Sequence, residues 1–71
     1  MNDLTITLNG EPRRVPAGHS IAALVVDLGL KVEKVAVERN RAIVPRSTLT
    51  DVALADGDEL EIVHFVGGGR K

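Results

Sequence analysis

The dipeptide Asn9-Gly10, set between the alternating run LTITL and the run EPRRV, commits the start of this chain to an antiparallel hairpin. A two-residue type I′ turn needs positive φ at both central positions, and Asn-Gly meets that need at low cost. Before the turn, Leu4, Ile6 and Leu8 fall on one face and Thr5 and Thr7 on the other, the pattern of a half-buried strand. After it, Pro12 restricts the second strand to an edge or a strand start, because proline has no N–H to give to a ladder. Ser20 then stands where a helix cap belongs, ahead of IAALVVDLG. In that segment Ile21, Leu24, Val25 and Leu28 form one apolar stripe, and Gly29 supplies a left-handed stop.

The second half continues in extended pieces. VAVERNRAIVP reads as two short strands around Asn40-Arg41, with Val35 and Val37 as the buried pair of the first. An irregular crossing comes after Pro45, in which Leu49, Val52 and Leu54 are expected to plug the core. Gly57 supplies the permissive position of the ADGD turn, and ELEIVHF is the last and most apolar strand. The order is therefore β-β-α-β-β-β, one candidate among several small α+β folds. A central last strand needs the first as its parallel neighbour, with the helix laid across one face. That arrangement is the β-grasp, or ubiquitin-like, fold: a mixed sheet of four to five strands packed on one main helix. The expected organisation is a single domain over residues 1–65 and a flexible C-terminal glycine tail over 66–71.

Composition removes several functions. The 71 residues contain no cysteine, and His19 and His64 are far apart without zinc-like spacing, so no metal site is expected. Phe65 is the sole aromatic residue and the formal net charge is −1, which offers neither a stacking platform nor a field for nucleic acid or a membrane. Without a Cys nucleophile, a His-carboxylate cluster or a phosphate-cradling loop, no catalytic residue and no bound cofactor are expected. No signal peptide or membrane-spanning stretch is evident, so a cytoplasmic location and a monomeric state are expected. Charge is uneven locally. Residues 51–61 carry Asp51, Asp56, Asp58, Glu59 and Glu61 with no basic residue, and residues 31–46 carry five Lys or Arg, Arg39, Arg41 and Arg46 among them. These are solvated faces or partner-steering patches.

The functional signal lies in the last strand and the residues beyond it. Leu60, Ile62 and His64 share one face; Glu59, Glu61, Val63 and Phe65 share the other. With Leu60 and Ile62 inward, Val63, Phe65 and Val66 form an apolar cluster at the root of the tail. That cluster is either a docking surface or a patch covered by a fold edge or loop. His64 reads as a satisfied histidine at the rim. Gly67, Gly68 and Gly69 are not there for packing, since glycine loses more entropy on ordering than any other residue. They form a disordered end, or a substrate slim enough to thread a channel that excludes side chains.

The segments VAVERNRAIVPRS and DGDELEIVHFVGGG, together with the length, resemble the ThiS family, the sulfur carrier proteins of thiamine biosynthesis, over essentially the whole chain to Gly69. The resemblance implies a β-grasp fold and makes Gly69 the modified glycine. A ThiF-type adenylating enzyme, using ATP and magnesium, would convert its carboxylate to an acyl-adenylate. Sulfur from a donor protein's persulfide would displace AMP and leave a thiocarboxylate, and thiazole synthase would take that sulfur. Gly67 and Gly68 would thread into the partner's active site. This sequence departs from the family pattern in placing Arg70 and Lys71 after Gly69. A peptidase removes them, or they are a cloning remnant, or the chain is carrier-like and never carries sulfur. Two other functions fit the fold: the sulfur-carrying small subunit of molybdopterin synthase, and a ubiquitin-like binding module with no tail chemistry. VERNRAIVPRS argues for the thiamine branch.

Overall fold

Two turns of one kind frame the sheet in the computed structural model, which describes residues 3–65. Asn9 and Gly10 have φ of 51° and 85° and join β1 (Asp3–Leu8) to β2 (Glu11–Pro16). Asn40 and Arg41, at 52° and 73°, join β3 (Val35–Arg39) to β4 (Ala42–Val44) in the same way. Both hairpins thus have positive φ at both central residues, the backbone twist that matches flanking strands. β5 (Glu59–His64) lies between them, giving the strand order β2-β1-β5-β3-β4. It is parallel to β1 and antiparallel to β3. The expected architecture is present, with all five strands in one mixed sheet.

The helix α1 (Ile21–Asp27) covers one face. Its first N–H groups, which no helix can satisfy by itself, are met from two sources. Ser20 Oγ accepts from Ala23 N–H at 3.0 Å, while the carbonyls of Val52 and Leu49 accept from Ile21 and Ala22 at 3.0 Å each. The irregular crossing therefore serves as a backbone cap as well as a source of core side chains. The helix is shorter than the apolar stripe suggests, since Leu28 already belongs to the cap. Gly29, at φ 79°, donates its N–H to Val26 C=O at 2.9 Å, and Leu30 donates to Val25 C=O at 3.1 Å. This paired closure is a Schellman motif, which needs a left-handed residue at Gly29.

Ile21, Leu24 and Val25 pack onto Ile6, Val15, Val35, Val37, Leu60 and Ile62, and Leu49 and Leu54 close the core. Val52, expected as a third plug, is only partly buried because its carbonyl turns inward to the helix start. Among the described residues the opposite sheet face carries no helix: Thr5, Arg14, Glu38, Ile43, Glu61 and Val63 are all exposed. No helix among the described residues is long and apolar enough to cross a membrane.

A Cβ added at Gly29 meets open space, so replacing this glycine changes backbone strain alone. Gly29→Ala is expected to lower unfolding free energy by about 1 kcal/mol, and Gly29→Asn by less, in chemical denaturation with an unchanged m-value.

Candidate functional site

The strand that leads into the glycine run is held from both sides by asparagine side chains. Residues 59, 61, 63 and 65 of the chain turn their backbone groups towards β3: Asn40 N–H donates to Glu59 C=O at 2.7 Å and Phe65 N–H to Lys34 C=O at 2.8 Å. Residues 58, 60 and 62 turn towards β1. Asp58 C=O accepts from Thr7 N–H, and Leu60 C=O from Asn9 N–H, both at 2.9 Å. β1 ends one step short of Ile62, and the Asn9 side chain takes over as a substitute peptide. Its Oδ1 accepts from Ile62 N–H at 2.9 Å and its Nδ2 donates to Ile62 C=O at 3.3 Å. On the other side Asn40 Oδ1 accepts from Glu59 N–H at 2.9 Å.

Asp58 anchors the start of β5. It is 6% exposed, and its Oδ2 accepts from Ala55 N–H at 2.8 Å and from Arg39 Nε at 2.9 Å. Its Oδ1 accepts from Asn40 Nδ2 at 3.1 Å. Burial, the largest single influence, pushes this carboxyl up, but the Ala55 N–H, the Asn40 amide and the Arg39 guanidinium together outweigh it and hold it below the usual carboxylate range. Arg39 is thus engaged inside the fold. Arg46 is exposed, but its guanidinium donates to Val35 C=O at 3.0 Å, where β4 has run out. Arg41 stays on the surface, bordering a shallow hollow with Glu38, Glu59, Glu61 and Thr7.

On the open face, Val63 is 57% exposed and Phe65 49% exposed, so no fold edge or loop among the described residues covers them. Val66, Gly67, Gly68 and Gly69 lie outside the described residues, as do Arg70 and Lys71. Val63 stands opposite Ala36, itself exposed, and Ile43 on β4 is 79% exposed on the same face. Ile43 adds an apolar group that sequence reasoning missed, although its place between Ala42 and Val44 in a strand offered the clue. The next row towards the strand start is acidic: Glu61 is directly opposite Glu38, and neither has an ion-pair partner among the described residues. His64 does not behave as a satisfied rim group. It is exposed, and its side chain makes no hydrogen bond among the described residues, because the sheet ends before anything can reach it. Among the described residues no group of three His, Asp or Glu side chains is placed to hold a metal.

Two stability measurements check this account. Asp58→Asn puts an amide N–H against a donor whichever way the amide turns, and about 2 kcal/mol of stability is expected to go. Because the folded carboxyl is held low, its contribution is complete above the usual carboxylate pKa and is lost as pH falls through the folded value. The gap between wild type and Asp58→Asn in thermal melts should therefore close on acidification. Glu61→Gln should act in the opposite sense, since like charges directly across a ladder are unfavourable. A gain of about 0.5 kcal/mol at low salt is expected, shrinking as ionic strength screens the pair.

Comparison with known proteins places this geometry. A family profile described as the ThiS family matches residues 6–69. The sulfur carrier protein ThiS of Bacillus subtilis is 44% identical over 50 residues, covering 70% of this chain and 76% of that one. A thiazole synthase of Magnetococcus marinus is 49% identical over 67 residues, which are 94% of this chain but 21% of that protein, so the chain spans about a fifth of that relative's length. Among solved structures, the thiamine biosynthesis protein ThiS of Geobacter metallireducens superposes with a TM-score of 0.77 at 30% identity, covering 93% of this chain and all of that one. A designed protein based on human erythrocytic ubiquitin matches at a TM-score of 0.56 and 16% identity, a likeness of fold alone. The profile match takes in most of the sequence, from residue 6 to residue 69, and the chain belongs to the ThiS family.

Proposed function

We propose that the chain is a sulfur carrier of thiamine biosynthesis whose working group is the carboxyl of Gly69. The observation that carries this reading is the family match running through Gly69, joined to a clamped strand that presents Val63 and Phe65 at the root of the glycine run. A carboxylate is a poor electrophile. Attack of its oxygen on the α-phosphorus of ATP expels pyrophosphate and leaves a mixed anhydride with AMP. A persulfide sulfur then adds to the acyl carbon and AMP departs. Reductive cleavage of the resulting acyl disulfide by a thiol leaves the thiocarboxylate, which stores sulfide as a nucleophile without releasing it. Every catalytic group, and the ATP and magnesium, belong to a ThiF-type enzyme; a donor protein supplies the sulfur. The chain offers a handle and a carboxyl.

Thiazole synthase is the acceptor in this reading. Support comes from two thiazole synthases, of Magnetococcus marinus and Paramagnetospirillum magneticum, each containing a stretch about half identical to this chain, at 49% and 50%. In those proteins a stretch like this one and the synthase are parts of one polypeptide. The open face suits transient docking: an apolar group centred on Val63 and Phe65, flanked by the Glu38–Glu61 row, favours a partner surface with a cationic rim. Gly67 and Gly68 carry the carboxyl into the enzyme's channel.

A carboxyl held in the Gly69–Arg70 peptide bond has no oxygen to offer ATP, so the active form in this reading ends at Gly69, with a peptidase removing Arg70 and Lys71. Incubation with ATP, magnesium, a ThiF-type enzyme and a persulfide donor, followed by intact-mass measurement, tests it. The chain ending at Gly69 is expected to exchange one oxygen for sulfur and the chain ending at Lys71 to stay unchanged. Equal modification of both, or of neither, is incompatible with the reading.

A further inference from the structure

The open face of the sheet is unbalanced in charge at one place. Glu38 and Glu61 stand directly opposite each other in the β3–β5 ladder, and Glu59 and Arg41 border the same hollow. Directly opposed residues hold their Cβ atoms about 5 Å apart, a spacing at which two carboxylates repel. Neither glutamate has an ion pair among the described residues, and Arg41 has none either. The neighbouring basic groups are committed elsewhere, Arg39 to Asp58 at 2.9 Å and Arg46 to Val35 C=O at 3.0 Å. Three carboxylates against one guanidinium leave two negative charges unmatched around this hollow. Ile43, the register partner of Glu38, and Val63, next but one after Glu61, are exposed apolar groups beside it.

Two positive charges follow in the same chain. Arg70 and Lys71 come five and six residues after Phe65. Glu61 lies four residues before Phe65 on the same side of the strand, about 13 Å away along β5. Six residues reach at most about 20 Å. The intervening VGGG holds three residues that take either sign of φ without a steric cost, so a reversal of direction is open to it. The chain is therefore long enough to return over Val63 to the acidic row. Tethering decides between occupants. A link this short holds the two cations at an effective concentration on the order of millimolar, whereas the same charges on a second copy compete from bulk solution.

We infer that Arg70 and Lys71 turn back over the open face and pair with Glu38, Glu59 and Glu61, so that the uncleaved chain covers part of its own outer face. An exposed ion pair contributes little by itself. Here each pairing also relieves the repulsion between Glu38 and Glu61, and the tether removes most of the cost of association. Removal of the two residues then has a double effect: it frees the Gly69 carboxyl and it uncovers the face that carries Val63. The contact needs no partner, while that consequence rests on the carrier reading above.

Carbodiimide coupling of the chain ending at Lys71 tests the contact, because it joins an amine to a carboxylate without a spacer. Mass mapping of the coupled monomer is expected to find Lys71 joined chiefly to Glu38, Glu59 or Glu61, and not to Asp51 or Asp56, which are also exposed. The product should vanish in about 1 M salt, where the Debye length is about 3 Å. A melting cycle gives a second readout. At low salt Glu61→Gln is expected to raise the melting temperature about twice as much in a chain carrying Arg70→Ala and Lys71→Ala as in the wild type, where it also removes a partner of the tail. Coupling of Lys71 to acids in proportion to their exposure overturns the inference, as does coupling chiefly between two copies or an equal melting shift in both backgrounds. None of these measurements uses an enzyme, ATP or a sulfur donor. Their failure leaves sulfur transfer to the form ending at Gly69 standing, and failure of that transfer leaves the contact standing.

Discussion

A strand at the centre of a sheet must have its backbone groups met on both sides, and in this protein the neighbours of β5 are too short to do it. Leaving a buried N–H or C=O unmet costs more than a typical hydrogen bond returns, so the missing partners have to come from elsewhere. They come from two turn residues. Asn9 and Asn40 each occupy the first central position of a tight hairpin, with φ near 51° and 52°, and each extends its amide along β5. Asparagine tolerates the left-handed conformation and carries a peptide-like group, and both properties are used at once. The turns fix strand register locally while their side chains fix the central strand globally.

The same strand carries two faces with opposed demands. Leu60 and Ile62 are core residues, exposed by 1% and 7%. Their alternates Glu59, Glu61 and Val63 serve no packing purpose in the isolated fold, and the Glu38–Glu61 opposition works against it. A sheet selected for stability alone would place unlike charges or a β-branched pair there. Stability is instead concentrated below the sheet and at Asp58, where one buried carboxylate gathers Ala55, Arg39 and Asn40 onto the start of β5. A strand bonded at its start and an outer face that packs on nothing else among the described residues are compatible because the two sides of a strand are chemically independent.

Most of the fold was legible because its signals are local. The alternation in LTITL, the Asn-Gly turn, the Ser20 cap and the Gly29 stop each act within a few residues, and Val35 with Val37 falls out of a period of two. The clamp was not legible. Asn9 and Ile62 are 53 positions apart, and nothing in the turn sequence says that a side-chain amide will stand in for a missing residue of strand. Arg39 and Arg46 looked like members of a surface basic cluster, whereas their partners, Asp58 and Val35 C=O, are set by three-dimensional register. His64 shares parity with the core residues and was expected to be satisfied. Parity says which face a residue takes but not where that face ends. Val63 and Phe65 were correctly placed in the open, because the inward demand of Leu60 and Ile62 leaves them no alternative. The role proposed for Gly69 rests on family resemblance rather than on physics, since three glycines by themselves fit a linker equally well.

Hydrogen-bond parity ties these observations together. Along β5, odd-numbered residues face β3 and even-numbered residues face β1, and the protein completes the odd side as far as Phe65 but the even side only to Ile62. The asymmetry is a consequence of geometry. β1 reaches its hairpin turn early, whereas β3 is approached through a turn at Val32–Lys34 that lends Lys34 C=O to Phe65. Prolines stand at the outer edges, whereas on the β1 side of β5 no strand among the described residues pairs with His64.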